Sequence, residues 1–308
     1  MDPQVLERAG ALIRAGRLVA FPTETVYGLG ANALDEKAVR RIYEVKQRPA
    51  SSPMIVHVAS IEMARSLARE WPESAEKLAQ AFWPGPLTLV VPKQPSIPPV
   101  VTSGIDTVGL RMPSHPVALA LIRAAGVPVA APSANRFKGL SPTTAGHVRA
   151  SLGGRVDMIL DGGMTKVGIE STVLTLATAT PRILRPGMIS RKDIEAVIGP
   201  VEEGAATAKD LLSSPGMHSR HYSPRTRLFL VESSRLPEQG RGVYLYRTTP
   251  AGENSLKMPP AASEYAAVLY ATLHELDHAG WDWIAVEQLP TGVEWDGIRD
   301  RLRRAAAR

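Results

Sequence analysis

Short apolar runs, most of them closed by a proline or a hydroxyl-bearing turn and separated by amphipathic stretches, dominate the first 200 residues. Leu18-Val19-Ala20-Phe21 is the first, and Pro22 ends it by fixing the backbone and removing a donor. Met54–Val58, Leu87–Val91, Thr107–Arg111, Val127–Ala131, Val156–Leu160, Ser171–Leu176 and Arg182–Leu184 read as further strands. Leu6–Ala15, a stretch capped by Asp35 and running to about Lys46, Ile61–Arg69, Ser74–Phe82 and Pro116–Ala125 read as helices. This alternation predicts an α/β domain over 1–200. Residues 201–225, rich in Gly, Ala, Ser, Pro and His, read as a linker. Beyond it, Leu228–Val231, Val243–Tyr246 and Trp283–Val286 read as strands, and Ser263–Leu276 and Trp295–Ala307 as helices. A second, smaller α/β domain is therefore expected over 226–308.

The composition removes several chemistries. The 308 residues contain no cysteine, so disulfides, thiolate nucleophiles and cysteine-ligated zinc or iron–sulfur centres are excluded. The 36 basic and 30 acidic residues leave a net charge of +6, which suits nucleotides or RNA without identifying either. No apolar run approaches a membrane span, and the N-terminal segment lacks the pattern of a secretory leader, so a cytoplasmic protein is expected.

Ligand pockets of α/β proteins form at the carboxyl ends of strands, and here those ends carry polar residues. Thr23 follows the first strand, and His57 sits inside the second, either as a buried neutral imidazole or as a donor to a carboxylate. Arg111 ends another strand, where burial without an anion is costly and its fork matches a carboxylate. Ser133 and Asn135 follow Val127–Ala131, Ser171 opens a further strand, and Arg185 repeats the pattern of Arg111. Lys46 and Arg48 lie where a helix stops before Pro49, either as charges favourable to the helix end or as ligands for phosphate. Ser141 stands in a turn or a helix cap. Neither a Walker A sequence nor GxGxxG is present, so a nucleotide site must be assembled from scattered strand ends. His274-Glu275-Leu276-Asp277-His278 matches HExxH, with Glu287 as a conceivable third ligand, but Gly280 ends that helix at once. The linker places His218, His221 and Tyr222 between Pro215 and Pro224, as a lid over a pocket or as an anchor for the linker.

Taken together, PTETVYGLG at 22–30, KQRP at 46–49, PMIVHV at 53–58, VGLRMPSHP at 108–116, APSAN at 131–135, ESTV at 170–173, RPG at 185–187 and PGMHSRHYSP at 215–224 resemble the long, two-domain form of the YrdC-like threonylcarbamoyl-AMP synthase family. The resemblance implies a twisted, open mixed-sheet YrdC-like domain with a deep basic cavity, followed by a Rossmann-like accessory domain. It implies conversion of L-threonine, bicarbonate and ATP to L-threonylcarbamoyl-AMP, pyrophosphate and water, with Mg²⁺ held mainly by phosphates. The product serves tRNA N6-threonylcarbamoyladenosine at position 37 through a separate threonylcarbamoyl transferase. A weak direct tRNA contact and a monomeric state belong to the same expectation. By motif, Thr23, His57, Arg111 and Ser171 fall in the threonine subsite. Lys46, Arg48, Ser133, Asn135, Ser141, Arg185, His221 and Tyr222 fall in the ATP subsite, and Tyr27 in the wall between them. Lys46, Arg48 and Arg185 would act on the reacting phosphates. Gln47 and Ser219 depart from the family's usual residues.

Three rival readings stand beside this one. They are an RNA binder without catalysis, another carbamoyl-adenylate enzyme normally fused to domains absent here, and a zinc hydrolase built on the HExxH match.

Overall fold

The computed structural model describes residues 1–49, 51–204, 221–232 and 235–307. Its first domain runs α1 (Pro3–Arg14), β1 (Val19–Pro22), β2 (Tyr27–Asn32), α2 (Glu36–Lys46), β3 (Ile55–His57), α3 (Ile61–Leu67), α4 (Glu73–Phe82), β4 (Leu87–Pro92), β5 (Thr107–Arg111) and α5 (Pro116–Ala125). It continues with β6 (Val129–Ala130), α6 (Ala145–Leu152), β7 (Met158–Ile159), β8 (Thr172–Thr175), β9 (Arg182–Arg185), α7 (Arg191–Ile198) and β10 (Glu202–Glu203). These strands form a ten-stranded mixed sheet in the order β10-β9-β8-β4-β5-β3-β6-β2-β1-β7.

The sheet is covered on both faces, which is why its central strands read as continuous apolar runs. Along β1, Val19 and Phe21 pack with Ile13 and Leu121 of α1 and α5. Leu18 and Ala20 turn the other way, toward Val39 and Ile42 of α2. The Asp35 carboxylate caps α2 by accepting from the Lys37 and Ala38 amides. Gln47 closes that helix in the left-handed region at φ 53°, a position that glycine or asparagine fills with less strain.

β2 was not expected as a strand. Gly28 and Gly30, residues that disfavour a strand, both lie in the ladder with β1. A Cβ on Gly30 would fall 2.8 Å from both Phe21 and Val129, so glycine is needed there for close packing. The short α6, α7, β10 and β13 (Ser255–Lys257) also escaped the sequence pattern.

The second domain contains β11 (Arg227–Val231), β12 (Gly242–Tyr246), β13, α8 (Ala262–His278), β14 (Trp283–Glu287) and α9 (Asp296–Ala306). Its four strands are all parallel, in the order β11-β14-β12-β13, as a Rossmann-like unit requires. One apolar cluster joins the two domains: Val26, Leu140 and Ile169 of the first pack with Tyr222, Tyr265, Leu269, Tyr270 and Leu302. Among the described residues no helix is long and apolar enough to cross a membrane.

Candidate active site

The carboxyl ends of β1, β3 and β5, the loop after β6 and the residues flanking β8 and β9 converge on one cavity. Of the residues singled out from sequence, Thr23, Arg48, His57, Arg111, Ser133, Ser171, Arg185, His221 and Tyr222 line it. The last two lie on the stretch leading into the second domain, against the same cavity. His218 and the rest of the segment before it lie outside the described residues.

Four expected site residues do not line the cavity. Tyr27 belongs to β2, where side chains alternate between faces. Its neighbours Val26 and Gly28 face the cavity, while its own hydroxyl donates to Gly163 O at 2.8 Å. Lys46 is buried, and its Nζ donates to Ser133 O at 2.5 Å and to Asn135 O. It thus ties the end of α2 to the loop that presents Ser133. Asn135 braces that loop through Nδ2, which donates to Arg136 O and Gly139 O. The Ser141 hydroxyl donates to Glu170 Oε1 at 2.5 Å. Lys46, Asn135 and Ser141 therefore form a supporting layer behind the wall.

The cations are withdrawn from bulk water: Lys46, Arg48, Arg111 and Arg185 are 1%, 7%, 3% and 2% exposed. Arg48 Nη2 donates to Pro53 O at 2.9 Å, and burial pushes the guanidinium down to about 10, still cationic at neutral pH. Arg185 donates from Nε and Nη2 to Ser171 O at 3.1 and 3.0 Å, and from Nη2 to Ser171 Oγ at 3.2 Å. Burial, with the Arg111 charge behind it, pushes His57 down to about 3, so its imidazole is neutral. Its Nδ1 has no hydrogen bond among the described residues.

Two carboxylates missed in the sequence complete the site. Glu24 Oε1 lies 2.8 Å from Arg111 Nη2, and its Oε2 accepts from the Ser114 amide. Glu170 lines the cavity and pairs with Arg301 at 2.7 Å. Burial pushes Glu170 up, but the Arg301 and Arg185 charges and the Ser141 hydrogen bond outweigh it, and its carboxyl lies below the ordinary value. Thr25 also lines the cavity and bonds Thr23. For Glu24 and Thr25 the only signal was their place in the TET triplet after Pro22; for Glu170 it was adjacency to Ser171.

The HExxH residues form no metal site. His274 Nε2 donates to Ser141 O, His278 Nδ1 to His274 O, and His274 stacks on His147. Glu287 accepts from the Thr248 amide. No group of three or more potential ligands for a metal ion occurs among the described residues.

Comparison with known proteins places this geometry. Residues 11–187 match the Sua5–YciO–YrdC family model, described as telomere recombination, and residues 189–307 match the threonylcarbamoyl-AMP synthase C-terminal domain. The threonylcarbamoyl-AMP synthase of Pyrococcus abyssi is 44% identical, over 97% of this chain and 93% of that protein. The Bacillus subtilis enzyme of the same name is 45% identical, over 99% of this chain and 93% of its own length. The crystal structure of P. abyssi Sua5 complexed with L-threonine superposes with a TM-score of 0.92 at 41% identity, covering 99% of this chain and 95% of that one. This chain belongs to the threonylcarbamoyl-AMP synthase family, in its two-domain form.

Proposed function

We propose that this protein condenses L-threonine, bicarbonate and ATP into L-threonylcarbamoyl-AMP, releasing pyrophosphate and water. One observation carries the reading. Arg48, Arg111 and Arg185 meet His57, Ser133 and Ser171 in a single buried cavity of a chain that superposes at TM-score 0.92 on a threonine-bound relative. A neutral amino acid needs one cation for its carboxylate, and the surplus positive charge suits a triphosphate.

Arg111 presents its guanidinium fork to the threonine carboxylate, while Glu24, 2.8 Å from Nη2, balances the charge when the site is empty. Neutral His57 and the Ser171 and Thr23 hydroxyls orient the amino acid by hydrogen bonds. His57, held near 3, is too weak a base to deprotonate the ammonium group, so that proton leaves to a bicarbonate oxygen or water. The amine attacks bicarbonate, water departs, and a carbamate oxygen attacks the α-phosphorus as pyrophosphate leaves. Arg48 and Arg185 face the charge that develops on the phosphates, and Lys46 holds the Ser133 loop in register. His221 and Tyr222 cover the nucleotide.

Glu170, which lines the cavity, is committed to Arg301, and Glu24 behind the wall to Arg111, so the donor set makes no cage for Mg²⁺. The ion accompanies ATP on its phosphates. The product passes to a threonylcarbamoyl transferase that modifies tRNA in the cytoplasm, and the enzyme works as a monomer with weak tRNA contact.

The test is pyrophosphate release with ATP, bicarbonate and a panel of amino acids. Release that requires both bicarbonate and threonine supports the reading. Release independent of either, or none, overturns it.

A further inference from the structure

Arg301, on α9 of the second domain, is the largest fully buried side chain among the described residues. A buried guanidinium persists only where its donors and charge are answered. Here the answer comes largely from the other domain. Nε donates to Glu170 Oε2 at 2.7 Å, Nη2 to Glu170 O at 3.1 Å, and Nη1 to Pro186 O at 2.9 Å. Asp300 on its own helix supplies a second carboxylate at 2.8 Å. The guanidinium also stands 5.3 Å from the centre of the Tyr222 ring.

These partners are not scattered. Glu170 immediately precedes Ser171, and Pro186 immediately follows Arg185. Ser171 and Arg185 both line the cavity, and Arg185 in turn holds Ser171 O. A single guanidinium from the second domain therefore clamps the residue before one cavity side chain and the residue after another. It also packs against a third wall residue, Tyr222. Arg301 is itself absent from the cavity lining. The remaining Glu170 contacts, from Ser141 Oγ and Tyr270 Oη, complete the clamp from both domains.

We propose that Arg301 is a positioning residue for the synthase site: the second domain sets the geometry of Ser171, Arg185 and Tyr222 through it. This deepens the synthase reading and rests on it for the catalytic consequence. Lysine cannot replace the fork, because an ammonium group presents no planar set of donors to meet a carboxylate and two carbonyls together.

The test uses the full chain with Arg301→Lys, Arg301→Gln, Glu170→Gln and the double variant Arg301→Gln/Glu170→Gln. Hydrogen exchange without substrate reads positioning directly. Exchange at 170–172 and 222–223 should rise about tenfold or more in Arg301→Lys, while α8 and the rest of α9 stay protected. Arg301→Lys keeps the charge, so it serves if Arg301→Gln does not fold. In the pyrophosphate assay, kcat/KM for threonine should fall roughly 10- to 100-fold, the scale of a small misplacement of site groups. The double variant should be no worse than the poorer single one, since both changes break one coupling. Unchanged exchange at 170–172, exchange raised across the whole second domain, or additive losses would each overturn the proposal. The exchange result needs no turnover, and wild-type pyrophosphate release tests the synthase reading by itself, so the two failures are distinguishable.

Discussion

Arg111 Nη2 and Glu24 Oε1 lie 2.8 Å apart with side chains only 4% and 7% exposed, a buried ion pair at the wall of the cavity. The two charges neutralise each other inside the protein. Arg111 is held from behind by Gly85 O, and Glu24 by the Ser114 amide. A ligand carboxylate can therefore take Arg111 without dismantling its support. Removing Arg111 or Glu24 alone leaves the other buried charge poorly compensated, at a cost of about 3–5 kcal/mol.

This pair gives two linked outcomes. Arg111→Lys loses the fork, and the threonine KM should rise by about one to two orders of magnitude, the worth of a charge-assisted hydrogen bond. Glu24→Gln should lower the melting temperature of the unliganded protein, because Arg111 loses its counter-charge. Threonine should then restore more stability to Glu24→Gln than to the wild type, since its carboxylate replaces the missing anion. Thermal melts with and without threonine measure this, and an equal threonine increment in both proteins would count against Arg111 as the carboxylate clamp.

Acid should destabilise the fold partly through His57. Its folded pKa near 3 lies below the ordinary value of 6.5, so the unfolded chain takes up this proton first as pH falls. The contribution is complete above about pH 6.5 and is lost toward pH 3, at a slope approaching about 1.4 kcal/mol per pH unit. Burial lowers His115, His147 and His274 as well, so they add to the same window. The lowered carboxylates Glu170 and Asp300 lose their contributions only below their ordinary values of 4.5 and 3.8, in the acid half of that window and below pH 5. Urea midpoints between pH 7.5 and 5 should fall less steeply in His57→Gln than in the wild type. Parallel slopes would mean that His57 takes up its proton as readily in the folded protein as in the unfolded chain.

Chelation should change nothing in the fold. His274 and His278 spend ring nitrogens on the carbonyls of Ser141 and His274, and Glu287 is taken by Thr248. Prolonged dialysis against EDTA should leave the thermal midpoint where it was, because no group of three or more potential metal ligands occurs among the described residues. A fall reversed by zinc would restore the HExxH reading.

The sequence reads well where one local rule decides. Thr107–Arg111 and Pro116–Ala125 form the expected elements with the expected ends, because each has an apolar pattern bounded by proline or glycine. It reads poorly where a partner lies far along the chain. Glu24, Glu170 and Arg301 are ordinary charged residues until the fold brings Arg111 and Glu170 against them, and no spacing encodes those encounters. Tyr27 is a different case. Once β2 is known to be a strand, period-2 alternation sends Tyr27 away from the face of Val26 and Gly28, so the missed strand caused the misplaced side chain. Lys46 and Asn135 belong to motifs that point to the site, but a motif does not distinguish a lining residue from one that braces it.

The junction between the domains depends on two bare backbones. A Cβ on Gly297 would lie 2.9–3.0 Å from Gly187 Cα, C and O, and those are backbone atoms that cannot swing aside. Alanine at a helical position would ordinarily gain up to about 1 kcal/mol over glycine. Overpacking against rigid neighbours costs about 1–3 kcal/mol, so the clash should win. Gly297→Ala is therefore expected to destabilise the protein by about 1 kcal/mol net, where helix propensity alone predicts stabilisation. Gly154 offers the control, because a Cβ there meets nothing within 4 Å. Gly154→Ala should be neutral or stabilising in the same denaturation series. The two changes should also separate in activity. Displacing α9 from Gly187 moves the helix that carries Arg301, whereas Gly154 lies in a separate turn after α6. If Gly297→Ala proved as stable and as active as Gly154→Ala, neither close backbone approach nor α9 seating would limit this enzyme.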